Sequence, residues 1–513
     1  MKTYLPILLA LSTLNVYALD LSDATISDIK KSLKNGEVTS EYLVEQYIKR
    51  IEKYDDTGPT LNAVTLINPE ALELAKNWDN NNKKKDLPLG GIPFLIKDNY
   101  DAKGLVTNAG SIALNDNLVQ KNATLVQLLI DNGAILLGKT NMSELAASYG
   151  KLGYSSYGGQ TLNPLNLKRD PSGSSSGSAS AVASGLAAFS LGSDTSGSIR
   201  GPASVAGLVG FRPSIGLTSR NGVVPLSLTA DTTGPITRNV GDLALILDVI
   251  AKEDEHDDAT TYYPKRDNNF EKALSTATLK GKRFAFVTNF SGANSEVDNI
   301  TKNSLDVLTD NGAKVINVKL PPTFENLWSE VLGPIGDAEF RSQFNAYLAG
   351  HNSDKTLKDV VEHLQSKVAL ESSTPPNLSR VRGLQSNLTT LTSDGPKYIA
   401  IQNRLIPQLR AKLSKIAEDN QIDAFVFATQ ACPAAPLFGL TDNSFKCASN
   451  DIWAAGYIAS ALGYPEISVP AGLAAGNMPV SLSFMSTFGQ DKEVIRFGKA
   501  FEDKVDFDVE VSY

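Results

Sequence analysis

The stretch SASAVASGLAAFSL (178–191) constrains the fold more than any other part of the chain. It contains no charged residue, and most of its side chains are small. A segment of this kind has little apolar surface of its own, so it gains stability only where neighbours approach closely on all sides. It predicts a buried helix packed tightly at the centre of the molecule. On either side lie two serine- and glycine-rich runs, PSGSSSGSAS (171–180) and GSDTSGSIRG (192–201). Such runs form loops that bring backbone close to something, here at the edge of a rigid core.

The rest of the chain alternates helix and strand. Residues 21–54 read as two amphipathic helices around Asn35-Gly36, with Thr39 or Ser40 capping the second. LGGIPFLIKDNY (89–100) is an apolar strand ending in a charged pair, and TLVQLLIDNGAILLGKT (124–140) is a helix, a turn and a buried strand. KRFAFV (282–287), the next helix and AKVINVKL (313–320) make a β-α-β unit. A long helix near 397–419 and strands DAFVFA, EISVPAG and PVSLSFMS return the chain to the sheet, and DKEVIRFGKAFED closes it with a helix. The acidic KEDEHDD (252–258) and the Ser/Thr-rich 371–395 segment read as surface excursions. The pattern predicts one α/β domain over 19–513, helices layered on a sheet, with a variable, mostly helical insert at about 265–425.

The first eighteen residues differ from the rest of the chain. Lys2 precedes the apolar run YLPILLALSTLNV, and VYA places compact residues before a cut after Ala18, the three parts of a secretory signal peptide. Export predicts that the only two cysteines, Cys432 and Cys447, are bridged. Glycosylation sequons occur at Asn122, Asn141, Asn289, Asn299, Asn377 and Asn387. The net charge of −8 argues against nucleic acid or an anionic membrane as partner, and no later run is long and apolar enough to span a bilayer.

A serine nucleophile needs a base to take its proton and donors for the developing oxyanion. GSSSG (173–177) fits the G-x-S-x-G pattern with Ser175 at its centre, and His256, His351 and His363 lie downstream. The preceding NPLNLKRDP is no buried strand, however, and the histidines sit in polar segments that read as surface. The S-x-x-K pattern occurs in SYGK (148–151) and SDIK (27–30) without supporting context. Lys97 closes the apolar strand GIPFLIKD. Burial there disfavours its charged form and turns lysine into a base near neutrality, whereas pairing with Asp98 would leave it an ordinary exposed cation.

GIPFLIKDN (91–99), GKTNMSELA (138–146), GGQTLNP (158–164), the serine-rich block 172–216 and TTGPITRNVGDLALILDVI (232–250) succeed one another as in the amidase signature family, which the chain resembles. PEISVPAGL and MPVSLSFM resemble that family's closing strands. The resemblance covers about 20–260 and resumes near 425, with its most specific motifs at about 85–260. It implies an α/β/α domain with a central mixed, twisted sheet, and hydrolysis of carboxylic amides without metal or organic cofactor. It places the base at Lys97, a bridging serine after a cis peptide bond at Ser174, and the nucleophile at Ser198. The N–H groups of Thr195, Ser196, Gly197 and Ser198 then form the oxyanion hole. Asp194 and Arg200 brace the loop, or Arg200 reaches an acidic substrate group. Three serines depart from the family's pattern: Ser172, Ser176 and Ser196 stand where glycine is common, and a left-handed φ at position 196 would strain a serine. The expected partner is a small-molecule or peptide amide. Alternatives are one subunit of a transamidase that works on aminoacyl-tRNA and a non-catalytic protein whose loops bind an anion. The pocket walls are expected from 265–425 and TQACPAAPLFG (429–439), where no motif identifies the amide.

Overall fold

The computed structural model describes residues 19–81, 86–264, 266–389 and 393–511. The proposed leader, 1–18, lies outside the described residues. Eleven strands form one mixed sheet: β1 (Val64–Ile67), β2 (Pro93–Lys97), β3 (Ile135–Thr140), β4 (Phe189–Asp194), β5 (Val209–Arg212), β6 (Thr232–Thr237), β7 (Arg283–Val287), β8 (Lys314–Val318), β9 (Ala424–Ala428), β10 (Glu466–Ala474) and β11 (Met478–Met485). Their spatial order is β1-β3-β2-β4-β6-β5-β10-β11-β9-β7-β8. β2 runs parallel to both neighbours, β3 and β4, and β7 runs parallel to β8 and β9, while the strands between pair antiparallel.

Alternate side chains of the strands feed two cores. Phe284, Val426 and Phe484 join one apolar cluster, and their neighbours Ala285, Phe425, Phe427 and Met485 join another. Period-two alternation puts these clusters on opposite faces, so helices cover the sheet on both sides. In β2, β3 and β4 every residue is buried, as expected of strands covered on both faces. Phe94 and Phe189 stack across β2 and β4 with ring centroids 5.4 Å apart.

At the N-terminal end the local signals act as read. Helix α1 (Ile26–Asn35) carries a Thr25–Asp28 capping box and stops at Gly36, whose φ of +71° closes the last turn. Helix α2 (Ser40–Ile51) is capped by the Thr39 hydroxyl. The central small-residue segment is divided differently from the expectation. Helix α3 spans Ser176–Ala183 with every residue buried, and the chain then breaks at Gly185 (φ +64°) before entering β4. A Cβ at Gly185 would lie 2.3 Å from the Leu21 carbonyl oxygen, so this turn admits glycine alone. Tight packing is real. A Cβ on Gly177 would come within 2.6 Å of backbone atoms of Ala63 and Asn141.

The β-α-β unit of 283–318 lies within the stretch read as an insert, yet its strands complete the main sheet. The helical part proper comes after β8. It includes α4 (Gly333–Gly350), α5 (Leu357–Leu364), α6 (Leu378–Asn387) and α7 (Pro396–Ala400). Phe340, Phe344, Leu364 and Leu384 from these helices pack on Ala109, Met142 and Leu145. The Ser/Thr-rich segment is therefore not wholly a surface excursion, because α6 buries Arg380, Val381 and Leu384. The acidic run likewise turns two carboxylates inward, Asp254 to the hydroxyls of Thr124 and Ser219 and Asp257 to Arg220.

Cys432 and Cys447 are disulfide-bonded. Three sequon asparagines are buried with their amide nitrogens already donating: Asn141 to the carbonyls of Asn62 and Gly159, Asn377 to that of Ser148, and Asn387 to Asp337. A glycan at these positions is incompatible with the fold; Asn299 is exposed. Among the described residues no helix is long and apolar enough to cross a membrane.

Candidate active site

Lys97 ends β2 and has no exposed surface. Its Nζ lies 2.7 Å from Ser174 Oγ, 2.9 Å from Ser193 Oγ and 3.3 Å from the Ser193 carbonyl oxygen. No carboxylate forms an ion pair with it among the described residues. Asp98, the partner that would have made Lys97 an ordinary cation, pairs instead with Lys139 at 2.9 Å. The amine thus meets oxygens of two serines, two hydroxyls and one carbonyl. Burial drives the Lys97 pKa down to about 7, against the opposing charges of Asp194 and Asp231.

Ser174 comes after a cis peptide bond from Gly173, and its carbonyl accepts the N–H of Ser143 at 3.1 Å. The next residue ties this loop to the second one, since the Ser175 N–H donates to the Ser198 carbonyl at 3.2 Å. Lys97, Ser174 and the Ser198 backbone are thus brought together from three separate segments. Ser175 is fully buried, and its hydroxyl donates to the Ser193 carbonyl at 3.2 Å. No histidine is among its partners. His256 and His363 are exposed, and His351 pairs with Asp101 at 2.7 Å, so His351 is not the free surface residue expected.

Asp194 organises the turn that carries Ser198. Its carboxylate accepts the N–H groups of Gly197 (2.8 Å) and Ile199 (3.1 Å), and it pairs with Arg200 and Arg212. Burial opposes its ionisation, but the two guanidinium groups outweigh that and hold the carboxyl far below the usual range. Arg200 is spent inside the protein: it bonds Asp194, Glu466, the Gly456 carbonyl and Ser460, with 1% of its surface exposed. It braces the loop and does not face a substrate. In the loop itself Gly197 takes the left-handed φ, +118°, so Ser196 is unstrained. Among the three serines that replace glycines, the left-handed one is Ser172, at φ +59°, whose hydroxyl accepts the Gly173 N–H.

A cleft opens on Thr195 and Ser196, walled by Tyr149, Leu226, Trp328, Leu332 and Phe340. Tyr149 and Trp328 are nearly half exposed at its mouth. Arg380 lies beneath, its guanidinium 5.3 Å from the ring centres of both Tyr149 and Phe340. Ser198 is 8% exposed, more than Lys97 or Ser174 beneath it. The sequence offers no signal for Ser193 or for Asn99, whose Nδ2 donates to Ser193 Oγ at 3.0 Å. Ser193 meets Lys97 through the β2–β4 register, in which Ile96 faces Leu191, and Asn99 reaches it only by way of Ser193. Only the strand order would have revealed them.

The family model described as Amidase matches residues 42–495. The chain is 34% identical over 502 residues to a protein of Arabidopsis thaliana named "Probable amidase", covering 94% of this chain and 90% of that one. It is 32% identical over 494 residues to a glutamyl-tRNA(Gln) amidotransferase subunit of Prochlorococcus marinus, covering 93% and 96%. Among solved structures it superposes on the native peptide amidase of Stenotrophomonas maltophilia with a TM-score of 0.83 and 32% identity, over 94% and 97% of the two chains.

Proposed function

The chain belongs to the amidase signature family and is a hydrolase of carbon–nitrogen bonds in amides; we propose that it works through an acyl-enzyme on Ser198, with Lys97 as base and Ser174 between them. The observation that carries this reading is the buried Lys97 amine, without a carboxylate and 2.7 Å from Ser174 Oγ. Neutral Lys97 accepts the Ser174 hydroxyl proton while Ser174 accepts that of Ser198. The Ser198 oxygen attacks the amide carbonyl, and backbone N–H groups of Thr195, Ser196 and Ser198 take the oxyanion. The Gly197 N–H already donates to Asp194 and serves instead to hold the turn. The proton returns through Ser174 to the leaving nitrogen, ammonia or amine departs, and water hydrolyses the ester on Ser198.

The apolar cleft at Thr195 supports an acyl part of hydrophobic character, and the likeness to peptide amidase supports peptide amides. Secretion belongs to the same proposal. The signal-like run 1–18 and the Cys432–Cys447 bond support an oxidising destination. The likeness to the glutamyl-tRNA(Gln) amidotransferase supports a second reading, ammonia release for transamidation in a larger assembly.

The test is an assay of the purified chain alone on primary, aryl and C-terminal peptide amides. Turnover is expected without partners, reduced by about 10³-fold in Lys97→Ala and in Ser198→Ala. A His351→Ala/His363→Ala control should retain it. Turnover that survives Lys97→Ala but is lost with the histidines would overturn the triad, and activity that emerges only with partner proteins would favour transamidation.

A further inference from the structure

Asp231 is a buried carboxylate to which the reaction scheme assigns no task. It sits immediately before β6, and each of its oxygens is engaged. Oδ1 accepts the Thr195 hydroxyl at 2.6 Å, and Oδ2 accepts the N–H groups of Leu226 and Ser227 at 2.9 Å each. No ion pair to a lysine or arginine balances it among the described residues. Arg220, the nearest guanidinium in charge terms, is committed to Asp257 and the Leu228 carbonyl. With Asn99, Ser193 and Thr195, Asp231 borders a small cavity beside Lys97.

We propose that Asp231 is a positioning residue for amide hydrolysis: it holds Thr195 at the head of the oxyanion loop and fixes Leu226 on the wall of the cleft. The inference rests on the acyl-enzyme scheme proposed above. Two lines of geometry meet in this carboxylate. One runs from the cleft, where the Ser227 hydroxyl donates at 2.7 Å to Glu339 on α4, the helix that also contributes Phe340. The other runs to Thr195, whose N–H is one of the oxyanion donors.

The experiment compares kcat and KM for wild type, Asp231→Asn, Asp231→Glu, Thr195→Val and the Asp231→Asn/Thr195→Val pair on one amide that the wild type turns over. Thr195→Val should reduce kcat about tenfold with KM nearly unchanged, and Asp231→Asn should reduce kcat by a similar factor and raise KM, because Leu226 on the cleft wall loses its anchor. The pair should lose no more kcat than the larger single loss, since both act on one loop. Asp231→Glu should recover part of kcat, and it keeps the test informative if Asp231→Asn folds poorly. Unchanged kcat in both single variants, or losses that multiply in the pair, overturn the proposal. Activity surviving Ser198→Ala or Lys97→Ala would instead overturn the acyl-enzyme scheme, so the two failures are distinguishable.

Discussion

Lys97 and Lys139 occupy adjacent parallel strands, one register step apart, and neither has any exposed surface. Their partners differ. Lys139 donates to Asp98 (2.9 Å), the Val106 carbonyl (2.8 Å) and Thr107 Oγ1 (2.9 Å), three acceptors for the three N–H bonds of an ammonium. Lys97 meets only serine oxygens, two hydroxyls and one carbonyl. Equal burial thus comes with different partners: a carboxylate beside Lys139 makes a structural ion pair, and none pairs with Lys97 among the described residues. On the proposed mechanism that difference is what leaves Lys97 free to act as the base. Asp98 is next to Lys97 in sequence, yet strand alternation turns it to the other side of β2 and hands it to Lys139.

Lys97→Met breaks this comparison most severely on the kinetic side. Loss of the base should cost about 10³-fold in kcat/KM, roughly 4 kcal/mol of transition-state stabilisation. Stability should move the other way, upward by about 1–2 kcal/mol near neutral pH, because no ion pair is lost and a buried amine is removed. The sign comes from linkage. Folded Lys97 gives up its proton near pH 7, whereas unfolded lysine keeps it to about 10.4. The unfolded chain binds more protons in that window, so wild-type stability rises with pH across it. The stability advantage of Lys97→Met should accordingly shrink between those limits. Urea midpoints at the two ends measure it, and a destabilised Lys97→Met would contradict the assignment of Lys97 as an unpaired buried base.

Lys139→Met should show the reverse profile. Asp98 loses its counter-charge, and breaking one side of a buried pair costs about 3–5 kcal/mol. Burial already pushes the Asp98 carboxyl upward despite Lys139 beside it, so protonation of Asp98 limits the loss at low pH. Lys139→Met/Asp98→Asn should recover part of it. Variant protein that remains folded should retain substantial turnover. A stable Lys139→Met with kcat reduced as far as in Lys97→Met would erase the distinction between the two lysines.

The sequence identified Lys97, Ser174 and Ser198 as candidates because a lysine closing an apolar strand and two Ser/Gly runs are local features, and the resemblance supplied their roles. It also revealed α1, α2 and the strands around them, where caps and apolar periodicity agree. The division of 178–191 into helix and strand was less legible, because small residues carry no strong periodicity and the decisive fact is the Leu21 backbone against Gly185. Ser193, Asn99 and Asp231 reach the site only through strand order and register, which no single segment encodes. Trp328 and Phe340 come to the cleft from helices of ordinary composition. The concern over Ser196 dissolved for a similar reason: the turn places its left-handed residue at Gly197, a choice made by the Asp194 hydrogen bonds.

A second carboxylate on the same segment, Asp101, sharpens the comparison at its weak end. It accepts His351 Nε2 at 2.7 Å and the Tyr347 hydroxyl at 2.6 Å, joining α4 to the strand that ends in Lys97. His351 Nδ1 lies 2.7 Å from the Tyr347 carbonyl, which can only accept. Nδ1 therefore donates, and protonation of the ring lets Nε2 donate to Asp101 as well. The hydrogen bond to Asp101 raises the His351 pKa above its ordinary value, against partial burial. Folded His351 binds its proton more tightly than unfolded histidine, so this contribution is full below about pH 6.5 and lost as pH rises through the folded pKa. A half-buried pair of this kind is worth about 1 kcal/mol, well below the Lys139–Asp98 pair. His351→Gln should lower stability by about that amount near pH 6 and by much less near pH 9, with kcat nearly unchanged. Urea denaturation at the two pH values decides it, and an equal loss at both would mean that His351 acts by packing on Tyr347 instead of by charge.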